Sequence, residues 1–134
     1  MNNLFVNPEE VVTVSIFVGQ SNGKVVASAK EAELKKENKE LDLESVESHQ
    51  ITFRLPNYKD NVDIMKMTMT TDGESLKADI ATLRYERFVS LVKEWSFKDE
   101  NDKVIPANRT NIDKLQGIVA NAVMDALDGA LDSM

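Results

Sequence analysis

The clearest pattern in the N-terminal half is an alternation of β-branched residues between positions 11 and 18. In an extended chain one side would be aliphatic and the other mixed, with Val12, Val14, Ile16 and Val18 opposite Val11, Thr13, Ser15 and Phe17. This period of two predicts a strand. Residues 19–23 are rich in Gly, Ser and Asn, which favour turns, so 24–29 can return as a second strand. The pattern therefore predicts a β-hairpin over 11–29.

Residues 30–48 combine many charges with few apolar positions. Their helix propensity is good, but the apolar stripe is thin and offers little surface to bury. We interpret the segment as a solvated helix or a linker. Alternation resumes over residues 50–55, which predict a further strand, and Pro56 suits the first turn of a helix after it.

Apolar residues recur at helical spacing in three later segments, 57–69, 76–96 and 111–131. Ser75 and Thr110 are placed to cap the second and third of these helices. The stripes of the last two helices supply the expected core residues, which are Phe88, Leu91, Val92, Trp95, Ile112, Leu115 and Val119.

The order of the elements favours an α+β fold, because strands come first and helices follow. We predict a small antiparallel sheet in the N-terminal half, packed against two or three C-terminal helices. A chain of 134 residues fits a single domain over 1–134.

Composition narrows the range of partners. The formal charge of −7 argues against binding to nucleic acid or to anionic membrane. No run approaches the roughly 20 apolar residues of a membrane-spanning helix, and the N-terminus shows no signal-peptide pattern. The absence of cysteine excludes disulfides and thiolate metal sites. We expect a soluble protein.

The sequence offers no matching set of catalytic groups. His49 is the only histidine, and its neighbour Ser48 would point to the other face of a strand. The acidic run 99–102 resembles the start of a calcium loop, but Val104 and Thr110 stand where that loop needs glycine and glutamate. The glycines never cluster as a phosphate-binding loop does. We predict no catalytic, metal or cofactor-binding residues.

Several apolar side chains are candidates for binding a partner instead of filling the core. Met67 lies off the stripe of its helix, and the last helix carries Met124, Leu127 and Leu131 at the spacing of helix-in-groove anchors. Core filling is the simpler interpretation for the methionines. Asp125, Asp128 and Asp132 oppose the helix dipole near the C-terminus. The pattern allows both a disordered terminus and a segment that a partner orders.

Three regions in order carry a family resemblance. They are the strand-to-helix entry 51–58, the tryptophan-terminated segment 84–96, and the acidic turn with proline 99–106, which leads to the helix start Asn-Ile-Asp-Lys-Leu at 111–115. Over about residues 50–127 the chain resembles small proteins of tailed phages, described as tail assembly chaperones or as uncharacterised virion proteins. Asp102 stands where the turn of those proteins often has glycine.

The resemblance implies a non-enzymatic role in phage assembly. A tail assembly chaperone would bind the tape measure protein or the tail tube, in the cytoplasm of an infected bacterial host. The alternative is a structural virion component, such as a connector, tail or head-associated protein, with neighbouring virion subunits as partners. A homo-oligomer is compatible with either role. A small enzyme is a distant third class.

Overall fold

The computed structural model describes residues 4–72, 75–78 and 80–134. Its first half contains β1 (Val11–Ser21), β2 (Lys24–Ser28), α1 (Glu31–Glu37), β3 (Leu41–Arg54) and α2 (Tyr58–Thr68). Its second half contains β4 (Met69–Asp72), β5 (Ser75–Ala78), α3 (Ile80–Leu91), β6 (Val92–Trp95), α4 (Arg109–Ile112) and α5 (Gly117–Asp132).

Four strands form one antiparallel sheet in the order β2-β1-β3-β6. A two-residue loop joins β1 to β2, with Ser21 opposite Lys24. Asn22 and Gly23 both have positive φ, at 53° and 75°. Asn-Gly is the pair that best tolerates this geometry, and its twist matches that of the flanking strands. The hairpin follows directly from the sequence pattern.

One face of the sheet is covered and the other is open to solvent. α5 packs across β1 and β2, and the core between the layers includes Ile16, Phe53, Phe88 and Val123. On the open face Thr13 and Thr52 lie opposite each other, and their hydroxyls are 3.0 Å apart. The prediction of an α+β fold with an antiparallel sheet and C-terminal helices is confirmed.

The segment 30–48 is neither one helix nor a linker. Only Glu31–Glu37 is helical, and β3 already begins at Leu41. The pairing of β3 with β1 shifts register between Val18 and Gln20, which marks an irregularity on β3. There Leu41 and Val46 lie over Gly19, where a Cβ atom would come within 3.0 Å and 3.2 Å of them. Pairing with β1 therefore overrides the local helix propensity.

The segment 76–96 is also shorter as a helix than predicted. Residues 75–78 form β5, so Ser75 lies in a strand and is not the N-cap of α3. At the other end α3 stops at Leu91, and β6 follows at once. Trp95 lies opposite Ile51 on β3. Residues 92–95 pair with the edge of β3 as a strand, although their apolar spacing would also fit a helix.

The C-terminal helix is divided in two. Asn108, and not Thr110, caps α4, because its side-chain oxygen accepts the N–H of Asn111 at 3.0 Å. A short turn follows, and α5 begins at Gly117. Asn is a stronger N-cap than Thr, which accounts for the start of α4.

A reciprocal cap starts α2 and fixes its position against β3. The N–H of Asp60 donates to Asn57 Oδ1 at 2.8 Å, and the N–H of Asn57 donates to Asp60 Oδ2 at 2.9 Å. Arg54 at the end of β3 donates two hydrogen bonds to the same carboxylate, at 2.6 and 3.1 Å. The hydrogen bond from Arg54 is the main reason that the pKa of Asp60 lies below its ordinary value of 3.8.

This pair predicts a loss of stability in acid. Because the folded pKa of Asp60 is lowered, its stabilising effect is complete above the unfolded pKa and disappears as the pH falls through the folded value. Asp60→Asn should cost about 1 kcal/mol at neutral pH, and less at about pH 3, which lies below the unfolded pKa of about 3.9, because protonation of the unfolded chain then reduces the advantage of the wild-type carboxylate. Urea denaturation of both proteins at the two pH values measures this. An equal difference at both would contradict the assignment.

The acidic run 99–102 forms a tight turn instead of a cation loop. A β-bridge joins Lys98 to Val104, and Asp99 Oδ1 accepts the N–H groups of Asn101 and Lys103 at 2.8 and 3.1 Å. Asp102 has a φ of 63°, in the left-handed region. Glycine adopts this conformation freely, so a glycine would also fit the backbone at this position.

Substitutions at Asp102 should therefore depend on backbone freedom more than on charge. We expect Asp102→Gly to stay within about 1 kcal/mol of wild type. Asp102→Val should destabilise by about 1–2 kcal/mol, because a β-branched residue tolerates positive φ poorly. Urea midpoints distinguish the two variants. Equal losses for both would mean that the carboxylate matters and that φ does not.

Candidate functional site

A cleft of about 400 Å³ opens between α3 and the α4–α5 segment. Its floor is formed by Phe88, Ile112 and Met124, and small side chains at Ala81 and Ala120 leave it open. Its rim is polar and consists of Arg84, Tyr85, Asp113 and Asn121. We call this space the α3–α5 cleft. An apolar floor with a few convergent polar groups is the usual form of a binding site.

Helical spacing produces one wall of the cleft. Positions 81, 84, 85 and 88 follow the i, i+3, i+4, i+7 pattern, so they share one face of α3. Of these four positions, only Phe88 was predicted from the sequence to lie in the core. The small residues Ala81 and Ala120, on helices whose stripes otherwise carry large side chains, were a sign of a cleft in the sequence. That sign could be interpreted only once the structure showed that the two helices lie side by side.

Two arginines of α3 neutralise the C-terminal half of α5. Arg84 donates to Asp125, its second contact to Asp128 is 3.6 Å long, and Arg87 donates to Asp128 at 2.6 Å. Arg84 Nη1 also lies 3.4 Å from Asn121 Oδ1. Asp125 and Asp128, two of the three aspartates that oppose the helix dipole, are thus paired within the chain. α3 supports this end of α5, which neither of the two sequence-based alternatives anticipated.

A second polar cluster surrounds Tyr85. Its hydroxyl donates to Asp113 Oδ1 at 2.7 Å and accepts from Arg109 at 3.2 Å. The pKa of Tyr85 is raised, mainly because the phenol donates to the Asp113 carboxylate. The Arg109 guanidinium also lies 5.5 Å from the centre of the Tyr85 ring. These contacts hold Tyr85 and Arg109 in fixed positions at the rim.

Glu86 lies behind this cluster. Its side chain is only 13% exposed, and Arg109 approaches its Oε2 atom at 3.8 Å. Among the described residues that oxygen has no hydrogen-bond donor. Arg109 is therefore shared between the Tyr85 ring and Glu86.

The predicted partner-binding residues are not brought together. Met67 is 56% exposed on α2, and Leu131 is half-buried on α5. Met124 and Leu127 are only 2% and 0% exposed. Leu127 has no surface left for a partner, and Met124 is reached only as part of the cleft floor. The structure corrects the interpretation of Leu127, because α5 packs its apolar stripe against the sheet. Met124 stays a candidate only as part of the cleft floor.

The expected core residues are found in or against the core. Five are buried and two are half-buried. The buried residues are Phe88, Leu91, Trp95, Ile112 and Val119, and the half-buried ones are Val92 and Leu115.

His49 occupies a structural position on β3. Its ring lies 5.0 Å from that of Phe97, and its Nε2 atom is 3.4 Å from Glu47. Ser48 is exposed on the opposite face of the strand. A polar groove of about 660 Å³ adjoins His49 and includes Asp99 and Asp102. In the described part of the chain, no three His, Cys, Asp or Glu side chains converge as metal ligands do.

Two further observations bear on the class of protein. Within the described ranges, no helix has the length and apolar character that crossing a membrane requires. Comparison of the chain with protein-family models, with curated proteins and with solved structures found no match.

Proposed function

We propose that this protein is a non-enzymatic assembly factor that binds a segment of another protein in the α3–α5 cleft. The observation that carries the proposal is the α3–α5 cleft, which has an apolar floor of core residues and a polar rim. The rim positions Arg84 and Tyr85 are held by hydrogen bonds within the chain. Such a preformed site binds without a large ordering cost.

The specific role that we propose is that of a phage tail assembly chaperone. The resemblance over about residues 50–127 supports it, and that region includes both walls of the cleft. The partner would be the tape measure protein or another tail protein, and the site of action would be the cytoplasm of an infected bacterium. A net charge of −7 favours solubility, which suits a protein that must not aggregate before it binds its partner.

A structural virion component is the second candidate, and the sheet favours it. β2 and β6 are edge strands of the described sheet. Edge strands present unpaired backbone groups that another subunit can extend. Neighbouring virion subunits, or a second copy of this chain, would pair there.

Mass spectrometry separates the two candidates. A chaperone should be abundant in infected cells, co-purify with a tail protein and be nearly absent from purified particles. A virion component should be present in particles in many copies, and that result would overturn the chaperone proposal.

The role of the cleft is tested with a matched pair of variants. Ala81→Trp fills the cleft, whereas Ala32→Trp adds the same bulk to the exposed side of α1. Co-purification of the tail protein should be lost only with Ala81→Trp, at unchanged melting temperature. Equal recovery with both variants would show that the interface lies elsewhere.

A further inference from the structure

The two charged groups that line the α3–α5 cleft are compensated to different degrees. Arg84 contacts the carboxylates of Asp125 and Asp128. Asp113 accepts one hydrogen bond from the neutral Tyr85 hydroxyl, and among the described residues no Lys, Arg or His comes within ion-pair distance of it. The cleft therefore presents a cation that is ion-paired and a carboxylate that has no direct ion pair, because Arg109 is linked to it only through the Tyr85 hydroxyl.

Arg109 shares the Tyr85 hydroxyl with Asp113, and its other contacts keep it from forming a direct ion pair with that carboxylate. Arg109 donates to the Tyr85 hydroxyl, covers the ring, and approaches Glu86 at 3.8 Å. Asp113 is exposed at the rim, and a carboxylate with one bound donor has room for two or three more. An incoming cation could therefore reach it without displacing an existing ion pair.

The floor of the cleft beside Asp113 is apolar, with Ile112 adjacent in sequence and Phe88 and Met124 below. A long aliphatic stem that ends in a cation matches this juxtaposition, because Lys and Arg bury their stems and keep the charged head at a polar edge. The net charge of −7 would attract a basic segment from a distance.

Resting on the proposed function, we infer that the partner segment is a basic amphipathic helix. It places a large apolar side chain on the Phe88–Met124 floor and a Lys or Arg, one turn away, against Asp113. Anchors at i and i+4 lie on one face of a helix and are about 5–6 Å apart at their Cβ atoms, which fits a floor next to a rim carboxylate.

The test uses two fluorescein-labelled peptides of about 18 residues, long enough to be helical when bound. Both carry the same Leu and Ala positions, and their charged positions are all Lys in one and all Glu in the other. Fluorescence anisotropy measures binding to the wild-type protein and to Asp113→Asn, Ala81→Trp and Glu44→Gln. Glu44 is exposed on β3, outside the cleft, and its substitution removes the same unit of charge.

The Lys peptide should bind and the Glu peptide should not. Asp113→Asn should weaken binding of the Lys peptide by about fivefold, the effect of a partly exposed ion pair. Glu44→Gln should leave it unchanged, and Ala81→Trp should abolish it.

Other outcomes overturn one proposal or the other. If both peptides bind equally, and only Ala81→Trp weakens them, the cleft binds partners without charge selection and the inference fails while the proposed function stands. If Asp113→Asn and Glu44→Gln act alike, the attraction is to the whole acidic surface and the inference again fails. If no peptide binds, or Ala81→Trp has no effect on binding, the cleft is not the interface and both proposals fail.

Discussion

Replacing Trp95 with alanine is expected to cost about 3–5 kcal/mol of unfolding free energy, the range for truncating a large buried aromatic residue. Trp95 is 6% exposed and contacts Phe88 and Phe97 edge-on, at ring-centre distances of 6.1 and 5.0 Å. Its indole N–H donates to the carbonyl of Ile105. The substitution therefore leaves a cavity between α3 and the sheet and an unpaired acceptor. Since domains are stable by only about 5–15 kcal/mol, this variant should be close to unfolding.

Urea denaturation measures this loss, and the only tryptophan makes the wild-type protein its own reporter. Native emission should be blue-shifted and should move to the red on unfolding. Trp95→Phe keeps most of the ring contacts and loses the hydrogen bond, so it should cost less than Trp95→Ala. Met67→Ala, at an exposed position on α2, is the control and should change stability little. A native spectrum typical of exposed indole, with normal melting of Trp95→Ala, would contradict the packing described above.

Ending the chain after Ala122 should abolish cooperative folding. The deletion removes Val123, Met124 and Leu127, which are all buried. It also removes Asp125 and Asp128 and leaves two arginines of α3 without their partners. In the sequence pattern, Met124, Leu127 and Leu131 of this segment have the spacing of partner-binding anchors. The structure makes it part of the core, so stability and partner binding should be lost together.

Two milder changes show which part of the deleted segment is needed for stability. Leu127→Ala should cost about 2–5 kcal/mol, because it empties a fully buried site. Removal of Ser133 and Met134, which follow α5 and are exposed, should cost little. Thermal unfolding followed by circular dichroism distinguishes the three proteins. A truncated chain that still melted cooperatively would show that the last turns of α5 are dispensable.

Where local pattern and tertiary pairing agree, the fold could be predicted from the sequence. The aliphatic side of β1 faces the core, and Asn22-Gly23 turns the chain as its composition indicates. Prediction failed where another strand supplied the missing partner. β3 begins within residues of good helix propensity, and β6 continues the helical spacing of α3. Pairing energy from distant residues decides such segments, and local periodicity does not contain it.

The candidate site was less predictable than the fold. The cleft depends on how far apart α3 and α5 lie, and the role of Asp113 depends on the contacts of Arg109 with Tyr85 and Glu86. The spacing of apolar residues along one helix contains no information about its distance from another helix or about contacts between the two. The paired charges Arg84–Asp125 and Arg87–Asp128 are each 41 residues apart in the chain, so no local rule connects them.

The direct junction of α3 and β6 has a mechanical consequence for the cleft. α3 ends at Leu91 and β6 starts at the next residue, so the wall of the cleft continues into a strand of the sheet without a flexible loop. Val92 pairs with Phe53, and Trp95 with Ile51. An occupant that pushed α3 outward would pull on these pairs, and the strain would reach the indole ring at the far end of the same short strand. The emission spectrum of Trp95 would therefore change when such a partner binds in the cleft, even if the partner does not contact the indole ring.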